Sequence, residues 1–156
     1  MKEIRWHARA GQGAKTASHL LALALLDAGK SVQAFPEYGP ERRGAPLRAY
    51  TRYDDRPIRR HDSIEHPDVV VVLEPSLRQE GDVSAGLKPG GLVLDAGEFG
   101  APRDSTNLFM VGAVAGALQE PPLELVQERA VETLGRKADH DKIRAAVAAG
   151  YEAATR

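Results

Sequence analysis

Five consecutive residues, Val69-Val70-Val71-Val72-Leu73, constrain the fold more than any other stretch. They are apolar without interruption and mostly β-branched, so a strand formed here must bury both of its faces. Such a strand belongs inside a parallel sheet, and parallel neighbours need crossover connections. The run is also far too short to span a bilayer.

The rest of the chain supplies the neighbours and crossovers. Ile4 to Ala8 reads as a first strand, followed by the loop Arg9-Ala10-Gly11-Gln12-Gly13. Ala17, Leu20, Leu21, Ala24, Leu25 and Ala28 then recur at helical spacing, and Gly29 ends that helix. Val32 to Phe35 is a second strand, stopped by Pro36. From Leu47 to Tyr53, Leu47, Ala49, Thr51 and Tyr53 alternate with Arg48, Tyr50 and Arg52, predicting a half-exposed strand with arginines on its wet face. Leu92-Val93-Leu94 forms another buried strand after Pro89-Gly90-Gly91, and Leu108 to Val111 is expected to form one more. The small residues Gly112 to Ala117 suit a tightly packed helix, and two amphipathic helices, Leu123 to Leu134 and His140 to Ala153, follow. Strands alternating with helices predict a single α/β domain over residues 1–156, three-layered and Rossmann-like, with a mainly parallel sheet.

Composition narrows the chemistry. Acidic and basic residues nearly cancel, 22 against 21, so the chain carries no basic excess of the kind that marks a nucleic-acid partner. The absence of cysteine excludes a thiolate nucleophile and cysteine-ligated iron–sulfur clusters on this chain. The opening Met1-Lys2-Glu3-Ile4-Arg5 leads into a strand without a signal-like apolar segment, so the cytoplasm is the expected compartment and no membrane is implied. His7, His19, His61, His66 and His140 are scattered and form no catalytic or metal-binding constellation. Gly81-Asp82-Val83 with Asn107 imitates a thiamine diphosphate motif but lacks its second glycine.

Two segments stand out as binding candidates. The glycine loop lies where a strand hands over to a helix, and free N–H groups at that helix start favour an anion. A dinucleotide fingerprint would require glycine at Ala8 and Ala10, which disfavours ordinary NAD binding. A bare turn that binds nothing is the alternative. The second segment is Glu41-Arg42-Arg43-Gly44-Ala45-Pro46, where two guanidinium forks suit carboxylate or phosphate. Arg56, Arg59 and Arg60 read instead as exposed, solvated charge.

The run Gln33 to Pro46, which contains Phe35-Pro36-Glu37-Tyr38-Gly39-Pro40 and the arginine pair, resembles the signature of γ subunits of pyruvate and 2-ketoisovalerate ferredoxin oxidoreductases. Gly11-Gln12-Gly13 with Thr16-Ala17 is similar to that family's glycine-rich first turn, and Asp68 to Glu74 to one of its strands. Where the family reads Gly-x-Gly-Gly-Gln-Gly, this chain has Ala8-Arg9-Ala10-Gly11-Gln12-Gly13, a departure that bears on ligand affinity more than on assembly.

The resemblance implies a non-redox subunit of an enzyme that converts a 2-oxoacid and coenzyme A into acyl-CoA and CO₂ and reduces ferredoxin. Thiamine diphosphate, magnesium and iron–sulfur clusters would sit on partner α, β and δ chains, and this chain would hold no catalytic residue, metal or cofactor of its own. CoA, the substrate, would meet Gly11, Gln12, Gly13, Arg42 and Arg43. Two other readings stay open: an assembly-only subunit without a ligand, and a stand-alone nucleotide-binding module.

Overall fold

Hydrogen bonding in the computed structural model, which describes residues 1–37 and 44–155, joins five strands into one sheet. Strand β1 (Lys2–Arg9) lies at its centre, between β3 (Pro46–Asp54), which is antiparallel to it, and β4 (Val69–Val72), which is parallel. Strand β2 (Ser31–Pro36) pairs antiparallel with β3, and β5 (Leu92–Asp95) parallel with β4, giving the order β2-β3-β1-β4-β5. Because β3 opposes both of its neighbours, the other four strands share one direction. The sheet is mainly parallel, with one reversed strand.

One face is apolar and carries the helices. Ile4, Trp6 and Ala8 share it with Ala49, Val69, Val71 and Leu94, all buried. Helices α1 (Ala14–Asp27) and α3 (Thr106–Leu118) lie on it, and α4 (Leu123–Leu134) and α5 (His140–Thr155) pack against those helices; a single turn, α2 (Ala96–Phe99), follows β5. Trp6 donates its indole N–H to the Thr51 hydroxyl at 3.0 Å, and Thr51 donates on to the Ser18 carbonyl at 3.0 Å. That relay ties β1, β3 and α1 together, and among the described residues no buried side-chain polar atom is left without a partner.

Leu108 to Val111 is not a strand. It lies in α3, whose residues Leu108 to Gly116 are all buried. A helix enclosed on every side shows no amphipathic period, and a short continuous apolar run then looks like a buried strand. The small residues that follow do pack tightly. A Cβ at Gly112 would collide with the Val147 carbonyl of α5, and one at Gly150 with the Phe109 carbonyl of α3. The two helix backbones therefore nearly touch.

The other face is mixed: Val70 and Val72 of β4 pack against Leu77 and Val83, and β1 and β3 supply its polar part. Glu3, Arg5 and His7 of β1 stand opposite Arg52, Tyr50 and Arg48 of β3. Residues 55–68 and 73–91 lie over this side, with a 3-10 turn at Pro75–Gln79 as their regular element. Three layers are thus present, the third built from loop. Arg5 fastens that loop, donating to the carbonyls of Ile64, Glu65, Val83 and Ala85. Arg52 departs from the expected wet face: it is 0% exposed and paired with Glu3 at 2.9 Å. Strand alternation assigns a side chain to a face but does not reveal that an aperiodic loop covers it. Among the described residues, no helix is long and apolar enough to cross a membrane.

Candidate functional site at the glycine loop

Strands β1 and β4 are parallel neighbours whose continuing chains leave on opposite faces. After β1 the chain enters α1 on the helix side, and after β4 it runs into the turn whose Leu77 packs on the other side. A crevice opens at such a divergence, beyond the carboxyl ends of the strands. The glycine loop forms one wall of it.

Gly13 is the N-cap of α1, with φ 82° and no side chain to satisfy the first N–H groups, and the first turn holds no acidic residue. Those donors and the positive end of the helix dipole face outward together. Gly11, Gln12, Gly13, Arg103, Asp104, Thr106 and Asn107 line a polar cavity of about 320 Å³, so the guanidinium of Arg103 shares it with one carboxylate. A neighbouring cavity of about 440 Å³ extends past Gln12, Glu74, Pro75, Gly97 and Arg103. Arg103 lines both, is exposed, and has no ion pair with another described residue.

Gln12 is committed structurally. Its amide oxygen accepts from the Arg9 backbone N–H at 2.6 Å, and its amide nitrogen donates to Glu74 at 3.1 Å across the mouth of the crevice. Glu74 also accepts the Ser76 backbone N–H, which lowers its carboxyl pKa further than its contact with Gln12 does. Arg9 reaches Gly44, Ser76 and Glu80. These contacts hold the loop in shape before any ligand arrives.

The two alanines that distinguish this loop do not line it. Ala8 is buried on the helix side of β1, and Ala10 donates its N–H to the Ala45 carbonyl at 2.9 Å. Gln119 is the non-glycine residue with positive φ among those described, so Ala10 is not held in a left-handed conformation. Arg42 and Arg43 lie outside the described residues. The loop's tie to Ala45, and Arg9's to Gly44, bring the end of that segment beside the crevice. Gly81 and Asp82 line a cavity with His7, whereas Asn107 faces the glycine loop, so the thiamine-like residues are not brought together.

Sequence reasoning missed Arg103, Thr106 and Asn107. They sit in a polar stretch without period, about the short 3-10 turn Arg103–Ser105, and only the placement of β5 brings them to Gly13. A Cβ built on Gly13 would lie 2.5 Å from the Asn107 amide nitrogen, which shows how closely the two walls meet.

Comparison with known proteins places this geometry. The model of the pyruvate ferredoxin/flavodoxin oxidoreductase family matches residues 3–105. The chain is 46% identical to the pyruvate/ketoisovalerate oxidoreductases common subunit gamma of Thermococcus kodakarensis, covering 85% of this chain and 86% of that one. It is 40% identical to pyruvate synthase subunit PorC of Thermotoga maritima, covering 96% and 93% respectively. The crystal structure of pyruvate oxidoreductase subunit PORC from Thermotoga maritima superposes with a TM-score of 0.74 at 36% identity, over 97% of this chain and 95% of that one. A family match over most of the chain, together with relatives alike along nearly their whole length, settles the assignment: the chain belongs to the pyruvate ferredoxin/flavodoxin oxidoreductase family, among its γ-type members.

Proposed function

We propose that this chain is the non-redox γ subunit of a cytoplasmic 2-oxoacid:ferredoxin oxidoreductase and that it presents CoA to catalytic partner chains. The observation that carries the CoA role is the capless N-terminus of α1 facing Arg103 across a polar cavity. CoA bears a pyrophosphate and a ribose phosphate. Free backbone donors and a guanidinium suit the first, and the Arg42-Arg43 pair suits the second. The chain has no cysteine to ligate a cluster, so electrons pass through other subunits. Thiamine diphosphate and its magnesium reside there as well, and they supply the carbanion chemistry.

Co-expression with candidate α, β and δ chains tests this reading. The purified complex should reduce ferredoxin only when a 2-oxoacid and CoA are both present, and this chain alone should not. Turnover by the isolated chain overturns the subunit role. A complex whose KM for CoA is unchanged by Arg103→Ala and by Arg42→Ala leaves the assembly-only role as the correct one.

A further inference from the structure

A cavity of about 400 Å³ lies on the loop-covered face of the sheet, with His7, Arg48, Leu77, Asp82 and Val83 in its lining. It is separate from the glycine-loop cavities, and its chemistry starts from a buried histidine. His7 is 4% exposed, and its Nε2 accepts the Arg5 Nε–H at 2.9 Å. Burial first, then Arg5 and Arg48, lower its pKa to about 3, so the ring is neutral. With Nε2 occupied as the acceptor, the proton sits on Nδ1. No described residue accepts that proton, and His7 lines the cavity.

Behind His7 stands a buried cation whose opposing charges, Glu37 and Asp82, act on it without direct contact. Arg5 is 3% exposed, its guanidinium meets carbonyls and the imidazole, and none of its ion pairs or hydrogen bonds among the described residues involves a carboxylate. Its charge polarises the imidazole and strengthens Nδ1–H as a donor. Arg48 adds a second cation at the wall; its nearest described carboxylate, Glu37, is 3.8 Å away and half-exposed. The other acids of the lining are engaged. Glu80 pairs with Arg9 at 3.0 Å, and Asp82 accepts the Ser84 N–H and hydroxyl.

We propose that this cavity binds a small oxyanion, a carboxylate or a phosphate, held between His7 Nδ1–H and the Arg48 guanidinium. Leu77 and Val83 offer an apolar wall to a short carbon chain.

The test uses the full chain, labelled with ¹⁵N at histidine, and follows the His7 ring nitrogens by NMR. Sodium acetate and inorganic phosphate are titrated separately at constant ionic strength, with sodium chloride as the control. Either oxyanion should shift His7 Nδ1–H saturably, and the lower midpoint identifies which one the site prefers. Arg48→Gln, at a half-exposed position, should raise that midpoint about tenfold, the loss of one charge-assisted hydrogen bond. The proposal is overturned if neither oxyanion gives a saturable shift, if chloride gives the same one, or if Arg48→Gln leaves the midpoint unchanged. None of these outcomes depends on partner chains or on CoA.

Discussion

Glu3 and Arg52 face each other across the β1–β3 register and close a 2.9 Å ion pair, with side chains 8% and 0% exposed. Arg52 also donates to Gln33 and to the Asp62 carbonyl, so it joins three strands to the covering loop. Removing Arg52 leaves the buried Glu3 carboxylate with only the longer 3.6 Å contact to Lys88. Arg52→Ala should therefore cost about 3–5 kcal/mol in urea unfolding. The double variant with Glu3→Ala should lose clearly less than the sum of the two single losses. Strict additivity would show that the pair is not coupled.

His7 makes stability pH-dependent in a definite direction. Its pKa is about 3 in the folded chain and 6.5 ordinarily, so within that window the unfolded state binds a proton that the native state does not. Stability is full above 6.5 and falls as the pH drops. Between pH 7 and 5, above the range of ordinary carboxylates, the loss should be about 2 kcal/mol. His7→Gln keeps an acceptor for Arg5 and cannot protonate. It should flatten this part of the profile, and an unchanged slope would assign the effect to other groups.

The α3–α5 crossing depends on glycine at the point of contact. Gly150→Ala would drive a methyl group into the Phe109 carbonyl, and helix α5 must retreat to accommodate it. Overpacking of this kind costs about 1–3 kcal/mol, which would appear as a lower denaturation midpoint with little change in slope. A neutral outcome would mean that the helices slide freely past one another.

Legibility in the sequence followed the regularity of each segment. The strand Val69–Val72 is an unbroken β-branched run, the helix Ala14–Asp27 and the closing helices carry a helical period, and their places were readable. Helix α3 carries none because it is buried all round, and its first residues read as a strand. The burial of Arg52 depended on loop residues 55–68, whose positions no pattern specifies. Arg103 and Asn107 reach Gly13 only through the sheet order. The glycine loop was visible because a turn into a helix needs those residues locally. Its opposite wall was not, because it comes from a remote segment without period.

For the assembled enzyme, Arg42→Ala or Arg43→Ala should raise the KM for CoA more than that for the 2-oxoacid. The loss of a charge-assisted phosphate contact is worth about 1.5–3 kcal/mol, or roughly ten- to a hundredfold in KM. Steady-state kinetics with each substrate varied in turn separates the two effects. Equal changes in both constants would assign the arginines to packing.

The glycine loop gives the last prediction, in which two kinds of substitution should behave oppositely. Gly13→Val places a β-branched side chain where φ is 82° and where the Asn107 amide nitrogen would be 2.5 Å from its Cβ. The substitution should obstruct the α1 N-terminus and push the opposite wall outward, so CoA affinity should fall. Restoring the family's glycines at Ala8 and Ala10 should do something else. Ala8 packs inside the helix-side core, so Ala8→Gly removes a buried methyl group and loosens a strand, at about 1 kcal/mol of stability. Neither alanine lines the cavities, so CoA affinity should stay within error of the parent. Calorimetric titration of CoA into the assembled complex, alongside thermal unfolding, reads both quantities. If Gly13→Val assembles and binds CoA like the parent, the loop is only a turn and the subunit's role is to hold its partners. If instead the glycine restorations tighten binding, the alanines reach the ligand by moving the loop, and the contacts from Ala10 to Ala45 and from Gln12 to Glu74 do not hold it rigidly.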